Sequence, residues 1–232
     1  MFVLALDTAM NGCTAGILNT DDGSCMTVAE PMARGHAEKL VPIIQSALVK
    51  ARLDFKDMGL IATTVGPGAF TGLRIGLSTA RSLGMALNLP VIGVTTLSAL
   101  AAAYLAQHKP DRNILVLIET KRTDFYGQMF SPDGDTLSDP FALSAEAIAA
   151  VYLEKAVILI GDANERFLSL LDADKKSLVN AFAGFEIPDP DFIARIGHAL
   201  WESGDTDSVA EPLYLRDADV SESKRIQRTI ED

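Results

Sequence analysis

The succession of strand-like and helix-like stretches constrains this chain most, because nearly the same order occurs twice. Residues 2–6 (FVLAL), 13–18 (CTAGIL) and about 24–30 read as three consecutive strands, with Asn19, Asp21, Asp22 and Gly23 marking the second turn. A helix is expected from His36 to Arg52, where Leu40, Ile43, Ile44, Ala47, Leu48 and Ala51 recur at spacings of three and four. Its apolar arc is broad, since Val41 and Val49 lie beside the main stripe. A buried strand at Leu60–Val65, a helix ending near Asn88, a short strand at 91–94 and a helix from Thr96 to about Gln107 follow. The second passage reads strand Ile114–Glu119, strand Asp124–Phe130, strand 136–142, a helix capped by Ser144, strand Val157–Ile160 and a helix at 163–171. Two meanders, each continuing into alternating helices and strands, imply a duplicated α/β fold with two mixed sheets. A last helix runs from Pro190 to about Trp201.

Charge divides the chain at about the same place. Of 31 acidic and 20 basic residues, seven of each lie in residues 1–104, so the whole net charge of -11 belongs to the remainder. Residues 1–104 are therefore expected to form a neutral first domain, completed by part of the C-terminal helical region and suited to being covered by another protein. Residues 105–219 form the second domain, and residues 220–232, with little to bury, a flexible tail. An acidic chain repels phosphate backbones, so binding of nucleic acid by this chain alone is not expected.

The uncharged run from Ser82 to Gln107 is long enough to span a bilayer, but Asn88 and Pro90 divide it into helix, strand and helix. The apolar start stops at Asp7 without a preceding basic stretch, which is not the pattern of a signal peptide. No membrane association is expected. Cys13 and Cys25 read as free thiols, and no GxSxG-type motif organises a nucleophile.

The segment 66–76, GPGAFTGLRIG, joins a strand to a helix, and Gly66, Gly68, Thr71 and Gly72 make a tight loop whose amides could face an anion. No lysine follows Gly72, so it is not a Walker loop, and a turn serving packing is the competing reading. Gly72, Gly76, Ala80 and Gly84 give the helix one side with almost no side-chain volume, while Arg74 and Arg81 occupy another.

Together with MFVLALDTA at the N-terminus, RGHAEKLVP at 34–42, VIGVTTLSAL at 91–100 and EPLYLR at 211–216, this glycine segment resembles the TsaB (YeaZ) family of tRNA threonylcarbamoyladenosine biosynthesis, over essentially the whole chain. The resemblance implies the actin-like (ASKHA), ribonuclease-H-type fold. The family's catalytic relative, TsaD, carries a metal-binding HxxxH pair, where this chain has Thr96 and Leu100. None of His36, His108 and His198 repairs that loss, so no metal site is expected.

The resemblance implies a cytoplasmic, non-catalytic scaffold subunit of a TsaB–TsaD–TsaE complex, a homodimer when alone, that meets tRNA only through the complex. No cofactor is expected on the isolated chain, with ATP or ADP admitted in the assembled complex. The partner surface is expected on the first domain at Arg34, His36, Leu40, Ile44, Arg74 and Arg81. Asp7 and Thr8 match the first phosphate-loop region of actin-like folds without its fuller DxGxT pattern. Lys121 and Arg122, in a segment (IETKRTDFYG) that departs from the family's DARM pattern, are the remaining candidates for nucleotide or tRNA contact. The competing readings are an actin-like small-molecule kinase or nucleotide-binding enzyme, and a soluble homodimer of other function.

Overall fold

A computed structural model describes residues 1–204 and 210–216. In the first half, β1 (Phe2–Asp7), β2 (Gly12–Asn19) and β3 (Cys25–Pro31) form an antiparallel meander. Helix α1 (His36–Ala51) leads through a 3₁₀ turn at Phe55–Asp57 to β4 (Met58–Gly66), which lies parallel to β1. Helix α2 (Phe70–Leu87) then leads to β5 (Val91–Thr95), parallel to β4, and the sheet order is β3-β2-β1-β4-β5.

Helix α3 (Thr96–Gln107) carries the chain into the second half. There β6 (Ile114–Glu119), β7 (Asp124–Phe130) and β8 (Phe141–Ser144) make the second meander. Helix α4 (Ala145–Tyr152), β9 (Val157–Ile160), helices α5 (Asn164–Leu170) and α6 (Ala173–Ser177), and β10 (Val179–Ala181) complete it. Its sheet order is β10-β9-β6-β7-β8, the same winding as the first sheet read from the other edge. The duplicated α/β fold with two mixed sheets expected from the sequence is therefore the fold observed.

Two details differ from expectation. The third strand of the second meander begins at Phe141 rather than near residue 136, and Thr136 joins Phe130 only in an isolated bridge. Pro140 supplies no N–H for the ladder, so continuous pairing starts after it. The short α6 and β10 carry too little periodicity to be read from sequence, and β10 is an edge strand paired with β9. The expected tail at 220–232 lies outside the described residues.

The cores explain the helix compositions. On one face of the first sheet, Leu40, Ile43, Ile44, Ala47 and Leu48 of α1 pack with Leu4, Leu6, Ile17 and Ile61. The other face is covered by α7 (Pro190–Glu202), whose Ile193 and Ala194 meet Val3, Ala5, Leu60, Ala62 and Val94. Asp189 caps α7 by accepting from the Asp191 N–H, and Pro190 occupies the first turn, where its missing N–H costs nothing. Helix α3 lies between the halves: Ala99 belongs to the first core, while Leu97, Leu100 and Tyr104 pack with Ile114, Val116, Phe130 and Ile160 of the second sheet. A helix enclosed on both sides needs no polar stripe, which accounts for its alanine-rich sequence. The uncharged run at 82–107 is thus parts of α2, β5 and α3, and no helix among the described residues is long and apolar enough to cross a membrane.

Candidate functional site

The glycine loop closes against the β1–β2 loop. The Ala69 N–H donates to the Ala9 carbonyl at 2.7 Å, and the Thr8 hydroxyl donates to the Gly72 carbonyl at 2.7 Å. A Cβ on Gly68 would overlap the Ala9 carbonyl oxygen, and one on Gly72 the Thr8 carbonyl oxygen. The next turn of the small-residue stripe also faces inward, since a Cβ on Gly76 would stand 2.7 Å from the Thr8 hydroxyl. These glycines allow backbone to touch backbone where a phosphate cradle would need space. Thr71 is exposed at the rim, and Gly66 adopts a left-handed φ of 113° at the end of β4.

Asp7 and Thr8, expected from the sequence as nucleotide contacts, are buried behind this closure, at 0% and 1% exposure. Asp7 Oδ1 accepts from the Thr64 hydroxyl at 2.5 Å and the Ala9 N–H at 2.9 Å. Its Oδ2 has no hydrogen-bond partner among the described residues. Burial pushes this carboxyl from 3.8 to about 6, although the hydrogen bonds from Thr64, Ala9 and Thr8 pull it the other way. Thr96 and Leu100 are both fully buried, at the start and middle of α3. Among the described residues, no cluster of three or more His, Cys, Asp or Glu could hold a metal ion. The thiols of Cys13 and Cys25 are free, and burial pushes both up to about 12, which removes nucleophilic thiolate at neutral pH.

The expected partner surface needs a correction. Leu40 and Ile44 are 1% and 0% exposed because they form the centre of the α1 stripe and fill the first core. The apolar side chains that α1 and α2 offer outward are instead Val41, Val49, Phe70 and Met85. Arg34 is exposed, and His36 is half-buried with Nε2 3.2 Å from the Met10 carbonyl oxygen. Arg74 and Arg81 are held by the chain itself. Arg81 donates through Nε and Nη2 to the Ala210 carbonyl, and the Arg74 guanidinium lies 3.8 Å from the Phe70 ring centre, with Nε 3.4 Å from the Tyr214 hydroxyl.

Those bonds belong to a strap, residues 210–216, that sequence reasoning quoted but did not use. Ala210 and Leu213 pack with Val65 and Leu77, and the Leu213 N–H extends the first sheet's bonding by donating to the Val65 carbonyl at 2.7 Å. At its end Arg216 forms an ion pair with Asp124 of the second half, so the strap joins the two halves.

On the second half, Arg166 organises the loop that holds Lys121 and Arg122. Its guanidinium donates to Glu119 at 2.6 Å and to the carbonyls of Arg122 and Asp124, and lies 3.7 Å from the Phe125 ring centre. Asp162 accepts from the Glu119 N–H, and burial pushes its carboxyl to about 6. Lys121 is exposed in a left-handed conformation, and the Arg122 N–H donates to the Thr120 hydroxyl. Lys121 and Arg122 are thus the tip of a braced loop. Between this loop, the glycine loop and the strap lies a cavity of about 360 Å³, reached by Arg74, Arg122, Arg216, Phe70, Tyr126 and Tyr214.

Two like-wound five-stranded halves, joined through α3 and facing each other across a cleft, define an actin-like, ribonuclease-H-type protein. The family model for TsaD, tRNA N6-adenosine threonylcarbamoyltransferase, matches residues 27–169. The tRNA threonylcarbamoyladenosine biosynthesis protein TsaB of Escherichia coli is 28% identical over 93% of this chain and 95% of its own. A TsaB of Buchnera aphidicola from Schizaphis graminum is 32% identical over 53% of this chain and 58% of its own length. An uncharacterised Mycobacterium leprae protein, ML0378, is 36% identical over 60% of this chain and 37% of its own. Against these last two the chain thus spans well under two thirds of the relative. The structure of YeaZ from Pseudomonas aeruginosa superposes with a TM-score of 0.78 at 24% identity, covering 92% of this chain and 99% of that one, which establishes the fold. The chain belongs to the TsaD family, in its TsaB (YeaZ) branch.

Proposed function

We propose that this chain is a cytoplasmic, non-catalytic scaffold subunit that pairs with a TsaD-type transferase and a TsaE-type nucleotide hydrolase to form threonylcarbamoyladenosine in tRNA. The closure of the glycine loop onto Thr8 and Ala9 carries this reading, because it fills with backbone the place where an actin-like enzyme would seat phosphate. Thr96 and Leu100, where the resemblance implies the transferase's histidines, are core residues and support it further. The same burial counts against the kinase reading, which would need Asp7 open to a nucleotide.

The partner surface is the outward side of α1 and α2, where Val41, Val49 and Met85 stand exposed on a domain whose charges balance. A second copy of the chain uses the same surface in the absence of the transferase. ATP or ADP enters as a component of the assembled complex, and tRNA is held by the assembly rather than by this acidic chain alone.

The test is reconstitution. The transferase should copurify with this chain, and tRNA modification should collapse when the chain is left out. Modification at an undiminished rate without it would overturn the scaffold role, as would transfer activity of this chain by itself.

A further inference from the structure

We propose that the outer side of α1 and α2 is a basic, apolar face that fits a partner presenting an acidic one, so that charge favours the transferase over a second copy of this chain. The inference rests on the scaffold reading for the place of the interface and adds the chemistry of what meets it.

Both helices cover the same face of the first sheet. Leu40, Ile43 and Ile44 of α1 and Ala80 of α2 belong to one core with Leu4, Leu6 and Ile61. The opposite sides of the two helices therefore point away from the sheet together. Across both helices stand four bases, Lys39, Lys50, Arg74 and Arg81, and one acid, Glu38. Arg34, exposed just ahead of α1, adds a further cation. On a chain with a net charge of -11, this makes a local field of opposite sign.

The surplus is not cancelled within the described chain. Lys39 is paired with Glu30 at 3.4 Å. Among the described residues no carboxylate is paired with Arg34, Lys50, Arg74 or Arg81. Arg81 donates to the Ala210 carbonyl, and Arg74 lies over the Phe70 ring. Such contacts fix where a guanidinium stands and leave its charge in place. Arg74, Ser78, Arg81 and Met85 are all exposed at successive turns of one side of α2. Positive charge and apolar surface thus share one strip.

A pair of identical copies joined through this face sets the strip against its own image, with like charges brought together. That repulsion offsets part of the gain from covering Val41, Val49 and Met85. A partner with carboxylates at the facing positions keeps the apolar contact and turns the repulsion into attraction. A nucleic acid would also answer the charge, but it would leave Val49 and Met85, 76% and 86% exposed, against phosphates.

The test follows association against salt. Sedimentation of the full chain alone should show self-association tightening about threefold or more between about 50 and 300 mM sodium chloride, because screening removes the repulsion. Capture of the TsaD-type transferase should weaken by a similar factor over the same range, because screening removes the attraction. Ser78→Glu and Ser78→Arg change the charge of the strip at an exposed position and leave both arginines in place. At about 50 mM salt, Ser78→Glu should tighten self-association and weaken capture, each about threefold or more. Ser78→Arg should do the reverse, with the fold of both variants checked by circular dichroism. Capture indifferent to salt and to both variants would leave the scaffold reading standing and overturn this proposal. Self-association that weakens as salt rises would also overturn it, as would binding of tRNA to the isolated chain that Ser78→Glu abolishes. No capture at any salt would overturn the scaffold reading, and the proposal with it.

Discussion

The Thr8 hydroxyl and the Gly72 carbonyl are joined by a 2.7 Å hydrogen bond across the place where β1 ends and α2 begins. No side chain fits between them, since a Cβ on Gly72 would overlap the Thr8 carbonyl oxygen. Gly72→Ala should therefore force α2 away from β1 and destabilise the chain by about 3 kcal/mol or more. Gly35→Ala is the control. Gly35 has open space around it and a φ of 90°, so its replacement should cost only about 1 kcal/mol. Urea unfolding of the two variants measures the difference, and equal losses would mean that the contact at Thr8 yields easily.

Asp7 gives the stability an inverted dependence on pH. Its folded carboxyl, at about 6, is a weaker acid than the unfolded one at 3.8, so the folded chain holds the extra proton between those values. The contribution is fully present below pH 3.8 and is lost as pH rises through about 6. Asp162 acts in the same direction. Asp7→Asn should raise the melting temperature relative to the parent chain at pH 7.5, by an amount worth about 3 kcal/mol at most. The advantage should shrink when both are melted near pH 5, and an advantage constant with pH would refute the assignment.

The outward sides of α1 and α2 and the inward side of α1 should respond oppositely to a charge. Val49→Asp and Met85→Asp alter side chains that are 76% and 86% exposed, so the folded state should change by less than about 0.5 kcal/mol. Mass by light scattering should nevertheless fall toward that of a monomer, and capture of the transferase should weaken. Ile44→Asp should unfold the chain, because it puts a carboxylate into the first core without a partner. Retained association in both outward variants would remove α1 and α2 from the interface.

Arg216→Ala leaves the nearly buried Asp124 carboxylate without its ion pair. A loss of about 2–4 kcal/mol is expected, partly recovered in the double variant with Asp124→Asn. Hydrogen exchange should show whether the Leu213 N–H loses protection together with it, as a single strap requires.

The sequence made the double winding legible because each strand and helix of a meander shows its own period. The glycine motif was equally plain, and its spacing already carried the possibility of close packing. What failed was orientation. The apolar arc of α1 contains both Ile44 and Val49, and local periodicity does not say which edge a sheet will cover. The strap was harder still. EPLYLR has no period, and its meaning lies in Leu213 meeting Val65 and Arg216 meeting Asp124, contacts between distant parts of the chain. Arg166 braces Glu119 from 47 residues away and gives no local signal for the same reason.

The position of α7 sets a timetable for folding during synthesis. Val3, Ala5, Leu60, Ala62 and Val94 are all made before residue 95, yet the helix that covers them starts at Pro190. At about 5–20 residues per second, a ribosome needs on the order of 5–20 s to bridge that gap. Throughout that interval the emerging first sheet has one greasy side open to the cell, so a pause or a premature stop in the second half strands an aggregation-prone nascent chain rather than a finished domain.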